Sequence, residues 1–523
     1  MGTTVFTNGC ILCSGSSGRF VSTLVVEDDH VAHVGWENDE AVVEVQATAL
    51  KVDLKNRMIL PGFIDGHVHI LNFSMSPQKL DLLPCKTLAD IQNAITSYAG
   101  AHPEAQRILC RGWVQSVTDG KSLATDLDHL DPRPIYIEAL DLHSTWCNNA
   151  ALRELEAHSK PDPAGGKIQR CHNRIPSGLL EEAAQFDIVW PFLNRATSME
   201  KKLAAIDAAI EGEWTALNTY RTERGSLPMH VAAHWLVPYS KCDADICSQI
   251  DRAITLYQSF DRKTSPEFCI NGIKLICDGT VDGCTAGLHQ PYGGFCNIVD
   301  PIWPADALAA AIRRATDAGL QCAIHAIGDR TVQQVIDCLS LIQDLPACRH
   351  RIEHLEITTP EDAKRLGQLG IVASVQPVHL DPATFDGWPE MLGIHRCKRA
   401  FAYQEFVDGG AHLTFGTDAP TAEHHALPNL YIATTRRSSI DPSSQDTVNP
   451  EFAVSLATAI SAATAEATYA SFSDSWTGSL HPGYNADFIV LDMAWAEESL
   501  LEARVCQTWY KGKKVFDEDA DGL

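Results

Sequence analysis

The segment Leu60-Pro61-Gly62-Phe63-Ile64-Asp65-Gly66-His67-Val68-His69 carries two histidines one residue apart. On a strand, side chains two residues apart project to the same face, so His67 and His69 would offer two imidazole nitrogens to one metal ion. A bare His-x-His is weak evidence, because a neutral imidazole is also an ordinary hydrogen-bonding group. Four later segments add weight, since each is a short apolar run ending in a ligand-type residue. Ile270 to Ile276 leads into Cys277-Asp278-Gly279, Cys322-Ala323-Ile324 ends at His325, His350-Arg351-Ile352-Glu353 ends at His354, and Leu413 to Thr417 ends at Asp418.

For these residues to act together, the ends of their strands must converge. A β/α barrel does this by gathering the C-terminal ends of its strands on one face. The chain has the required alternation. A helical pattern over 305–318, with Leu308, Ile312 and Ala315 on one face, precedes a strand over 321–325; a second, over 361–369 and stopped by Gly370, precedes a strand over 371–375. No G-x-G-x-x-G follows a first strand, which argues against a doubly wound dinucleotide fold. Both chain ends read as β: 23–26 and 31–35 flank Asp28-Asp29, 42–52 alternates in part, 486–491 is a strand, and 505–510 meets 513–516 across Lys511-Gly512. The expected architecture is α/β: a (β/α)8 TIM barrel over 61–474 with a small composite β-sandwich domain from 1–60 and 475–523.

Composition narrows the function. The 523 residues are 45% hydrophobic and 21% charged, a globular balance without low-complexity blocks. A formal net charge of -26 repels phosphate backbones and anionic lipid, so neither nucleic acid nor membrane is an expected partner. No apolar run nears the ~20 residues that span a bilayer. The segment from Met1 to Phe6 lacks a charged stretch followed by an apolar one, so a cytoplasmic protein is expected. The 17 cysteines sit mostly in apolar segments, as small buried hydrophobes do. A homodimer is the default assembly.

Across essentially its whole length the sequence resembles the amidohydrolase superfamily of metal-dependent hydrolases, in the YtcJ-like branch that includes N-substituted formamide deformylase. The resemblance rests on the 61–69 segment, Arg111-Gly112-Trp113, Asp141-Leu142-His143-Ser144-Thr145-Trp146, Gly272-Ile273-Lys274, His325-Ala326-Ile327-Gly328-Asp329, Arg351-Ile352-Glu353-His354, Ser374-Val375-Gln376-Pro377 with His379, Gly416-Thr417-Asp418, and the closing run from Gly478 to Phe488. It implies that His67 and His69 bind one divalent metal, zinc being the expected ion, and His325 and His354 a second. Lys274 would bridge them as a carbamate, and Asp418 would be both ligand and proton shuttle. One departure is Met229-His230-Val231-Ala232-Ala233-His234, where two histidines stand in place of an arginine.

The implied reaction is hydrolysis of a C–N bond in a small amide, formamide or cyclic amide by metal-activated hydroxide, with Asp418 passing the proton to the leaving nitrogen. His143 and His379 are expected to hold a carbonyl oxygen or another polar group of the substrate. Trp113, Trp146, Asp278 and Gln376 are assigned to the substrate side of the site. Lactone hydrolysis, deamination, decarboxylation and isomerisation remain open for the same residues. A catalytically silent binding protein would lack at least one of these ligands or Asp418, and none is missing.

Overall fold

The computed structural model describes residues 2–13, 19–118, 120–198, 227, 229–293 and 298–518. Its central element is a sheet of six parallel strands: β1 (Val231–Leu236), β2 (Phe268–Ile276), β3 (Gln321–Ala326), β4 (Arg351–His354), β5 (Val372–Val375) and β6 (Leu413–Phe415), hydrogen-bonded in that order. Helices α1 (Asp243–Ser259), α2 (Ala305–Asp317), α3 (Asp329–Leu339) and α4 (Pro360–Leu369) alternate with the strands. Parallel neighbours need such crossovers. Leu308 and Ile312 of α2 and Val335 and Leu339 of α3 join Ile273, Ile324 and Ile352 in one buried cluster. Gly370 ends α4 with a φ of 67°, which glycine adopts without strain.

The segment carrying His67 and His69 is not a regular strand, yet it is laced to β6. Gly66 N donates to Phe415 O at 2.9 Å, and His67 O accepts from Asp418 N at 2.8 Å. Two glycines allow this approach. A Cβ on Gly66 would lie 2.7 Å from Phe415 O, and one on Gly416 would lie 2.5 Å from His67 N. The described strands thus give six members of the parallel sheet, with the histidine segment lying against its β6 edge.

Two further sheets come from the chain ends, and the second combines strands from both. One contains His30–Gly35, Thr23–Glu27, Thr3–Thr7 and Leu50–Asp53; the other runs Lys513–Asp517, Arg504–Tyr510, Phe488–Asp492, Met58–Pro61, Cys10–Leu12 and Phe20–Val21. Phe6 from the first meets Phe488 and Trp509 from the second, with ring centroids 5.2 and 5.1 Å away. Where partial alternation suggested β structure over 42–52, Glu40–Val45 is a short helix that buries Val42 alone, and the strand is confined to Leu50–Asp53.

A further sheet interrupts the β/α series. Strands Gly166–Arg170, Pro176–Glu182, Ser144–Cys147, Ile135–Ala139, Ile108–Trp113 and Leu80–Asp81 form it in that order, with Ile91 and Ile95 of helix Leu88–Ala101 packed into its core. The sequence reading had not separated it from the barrel units. Among the described residues no helix is long and apolar enough to cross a membrane.

Candidate metal centre

His67 and His69 project together from the segment beside β6. Each Nε2 lies 3.1 Å from Asp418 Oδ1, and these ligand atoms fall within 4.8 Å of one another. Asp65 fixes the segment: its carboxylate accepts from Thr417 N, from the Thr417 hydroxyl and from His67 N. Glu353, on β4, accepts the Nδ1–H of His67 at 2.6 Å, which turns the Nε2 lone pair toward Asp418. Arg351, two residues earlier on the same strand face, binds Glu353 through Nε and donates to Gly66 O and the Ser374 hydroxyl. Burial favours a neutral Glu353, but Arg351, His67 and Lys274 outweigh it and hold the carboxyl well below its ordinary range.

Asp418 belongs to a second group as well, with His354 and His379, whose ligand atoms also lie within 4.8 Å of one another. His354 occupies a left-handed conformation, φ 77°, at the end of β4, and its ring stacks on that of His379 at 5.9 Å. His379 reaches the Thr421 hydroxyl at 3.0 Å and Glu356 at 3.4 Å. Burial would raise the Asp418 carboxyl, yet the neighbouring His67 and His69 hold it well below the ordinary range.

The fit of this group to a divalent metal rests on its own donors. His67 Nε2 and His69 Nε2 face one carboxylate oxygen of Asp418, each at 3.1 Å. Asp418 Oδ1 and His354 Nδ1 are buried without a hydrogen-bond partner among the described residues. One imidazole nitrogen and one carboxylate oxygen left without a donor, beside further imidazoles, are a set that a divalent cation satisfies.

Lys274, on β2, places Nζ 3.4 Å from His67 Nε2, and burial lowers its pKa. His325, on β3, has its ring 4.4 Å from that of His354 and 5.1 Å from that of His143. It differs from expectation: its Nε2 faces Gly279 O and Asp278, each at 3.4 Å, and it joins neither ligand group. His379, expected only as a polar contact, stands in that place. His143 comes from the inserted sheet; its Nδ1 is bound by Glu182 at 2.7 Å, and despite the opposing effect of burial Glu182 raises its pKa to about 9.

Three residues expected to meet substrate lie elsewhere. Trp113 and Trp146 are fully buried in the core of the inserted sheet, 5.3 Å apart, because their indoles fill the space between that sheet and its helix. Asp278 is buried and saturated: it accepts from Gly287 N, Ile327 N and Gly328 N, so it ties down the turn after β3. Gln376 is buried at the end of β5. His234 binds Gln321 at 2.9 Å, and the exposed His424 and His425 form a separate group with Glu423; none of the three joins the groups built on Asp418, although all line the cavity beside them.

Sequence reasoning did not connect Glu353 to His67; the alternation of Arg351 and Glu353 on β4 was the available signal. It missed Trp190, whose ring lies 6.3 Å from that of His69, and the cavity of about 1530 Å³ beside the site, lined among others by His67, His69, Lys274, Trp190 and Trp235.

The Amidohydrolase family profile matches residues 51–516. Protein LONG AFTER FAR-RED 3 of Arabidopsis thaliana is 29% identical in an alignment covering 98% of this chain and 91% of that one. N-substituted formamide deformylase of Arthrobacter pascens is 24% identical, with 94% of each chain covered. A crystal structure of an uncharacterized metal-dependent hydrolase from Pyrococcus horikoshii shares the fold with a TM-score of 0.73, covering 98% of this chain and 100% of that one at 22% identity. With the profile spanning nearly all of its length, the chain belongs to the amidohydrolase family.

Proposed function

We propose that the protein is a metal-dependent hydrolase that cleaves a C–N bond in a small amide, formamide or cyclic amide. The observation that carries this reading is the Asp418 carboxylate, set 3.1 Å from both His67 and His69 and shared with His354 and His379. His67, His69 and Asp418 would hold one ion, and His354 and His379 with Asp418 a second, zinc suiting such ligands. The supporting frame in this reading is an eight-stranded barrel over 61–474 with a small β-sandwich from 1–60 and 475–523.

A bound divalent metal supplies a Lewis acid for the substrate carbonyl and lowers the pKa of water toward ~7. Asp418, kept ionised by His67 and His69, accepts a proton from the attacking water and hands it to the leaving nitrogen. His143, with Nδ1 engaged by Glu182, turns its other ring nitrogen to the carbonyl oxygen as charge develops there. Glu353 keeps His67 in one tautomer. Lys274, its pKa lowered by burial, can attack carbon dioxide as a free amine: a C–N bond forms, a proton leaves for solvent, and the carbamate offers two oxygens as ligands. The relative named as a formamide deformylase supports a C–N substrate.

Elemental mass spectrometry on wild type, His67→Ala and Lys274→Ala, with hydrolysis of N-formyl and N-acyl compounds, tests the reading. Near two equivalents of metal in wild type, lost in both variants, supports a carbamate-linked pair. About one equivalent that survives Lys274→Ala makes the site mononuclear with a structural lysine. No stoichiometric metal after supplementation, with no turnover, ends the hydrolase reading.

A further inference from the structure

We infer that Gln376 reads the N–H of the substrate and so restricts the site to amides that carry one, an assignment that rests on the reading of the centre as an amide hydrolase. Gln376 follows the last residue of β5 and keeps an extended backbone, φ -121° and ψ 92°. Strand alternation therefore carries through it, and its side chain lies on the same face as that of Ser374. That face is known from contacts: the Ser374 hydroxyl accepts from Arg351 Nη2 at 2.8 Å, and the same guanidinium group donates to Gly66 O and to Glu353, which holds His67. Gln376 stands one step nearer the strand ends, where His354 and Asp418 flank β5 from β4 and from the turn after β6. Its own carbonyl accepts from His379 N at 3.0 Å, so it also starts the turn that delivers His379.

The side chain is 1% exposed, yet neither Oε1 nor Nε2 has a hydrogen-bond partner among the described residues. Gln321, equally buried on β3, shows the ordinary arrangement: its Oε1 contacts His234, and its Nε2 donates to Arg349 O and Ala470 O. Leaving a buried polar group unmatched costs about 1–3 kcal/mol, so a ligand that fills both positions is favoured over one that fills neither. The amide is neutral, an acceptor and a donor joined in one group. Its complement is a neutral amide with an N–H: that N–H donates to Oε1, and in the conformer that sets N–H and C=O on the same side Nε2–H donates to the oxygen. A tertiary amide or an ester lacks the first of these and strands Oε1. Such sites reject the analogue that lacks the bonding hydrogen.

The test uses N-butylformamide and N-butyl-N-methylformamide, with the protein as purified, in wild type, Gln376→Met and Gln376→Glu. Affinity is read from ligand-induced thermal shifts, and hydrolysis is followed in parallel. The expected result is a preference of at least ~10-fold for the N–H compound in wild type, reduced to within about twofold in Gln376→Met and retained in part by Gln376→Glu, which keeps an acceptor oxygen. Metal content is expected to be unchanged in both variants. A preference that is absent in wild type, or that Gln376→Met leaves intact, overturns the inference. Preference without hydrolysis counts against the hydrolase reading alone, and hydrolysis with a ratio indifferent to Gln376 counts against this inference alone.

Discussion

Glu353 binds His67 Nδ1 at 2.6 Å, and Arg351 grips the other oxygen of the same carboxylate from two residues away. The pair spans the sheet, joining β4 to the segment beside β6. Because Glu353 sets the tautomer of His67, Glu353→Gln is expected to weaken metal binding about 10–100-fold. Metal retained after dialysis against graded chelator measures this, with the unfolding midpoint of the metal-free forms as the control for folding.

Asp278 accepts three backbone N–H groups and fixes the turn after β3. Asp278→Ala strands those donors in the interior, so a loss of about 3 kcal/mol in unfolding free energy is expected. Denaturant titration reads it. A variant with unchanged stability and a raised KM would return Asp278 to the substrate side.

Trp146 packs on Trp113 and donates its indole N–H to Leu123 O at 3.0 Å. Trp146→Phe removes both part of the packing and that bond, so stability falls by about 1–3 kcal/mol. KM for a hydrolysed amide should stay within about twofold of wild type. The opposite pattern would make the indole part of the substrate wall.

His350 is buried, accepts Cys322 N–H at 3.0 Å and contacts the Thr316 hydroxyl at 2.9 Å. Burial, helped by Arg262, lowers its pKa to about 4 from 6.5. The folded protein therefore resists a proton that the unfolded chain takes up. Its contribution is complete above pH 6.5 and is lost as the pH falls from there toward 4. The linkage amounts to about 2 kcal/mol between pH 7.5 and pH 5. His350→Gln should lose correspondingly less stability over that range in parallel denaturant titrations.

Much of this site was legible because its ligands end apolar runs. His354 and Asp418 each follow a stretch of β-forming residues, as does His325 beside them, and the strands and helices around them fell close to the expected boundaries. The division of ligands was harder to read, since it depends on a short turn. Gln376 leaves β5 into the 3-10 helix Pro377–Leu380, which carries His379 toward Asp418, and no periodicity signals that excursion. The inserted sheet escaped notice because its parallel pairs, as between Ile108–Trp113 and Ile135–Ala139, look locally like further β/α units. Trp113 and Trp146 misled for a related reason: a motif records that a residue is kept, and packing needs large aromatics as much as a pocket does.

The strand Met58–Pro61 pairs with Phe488–Asp492 in a register that sets Pro61 opposite Phe488, and Gly62 N donates to Asp487 O at 2.9 Å. The backbone leading into His67 and His69 is therefore anchored by a strand translated more than four hundred residues later. At typical elongation rates that interval is on the order of tens of seconds. Throughout it the newborn chain already holds both histidines without the strand that steadies their approach. Assembly of the centre is thus timed by completion of the polypeptide, and a ribosome stalled before the codon for Phe488 leaves behind a chain with every ligand and no finished site.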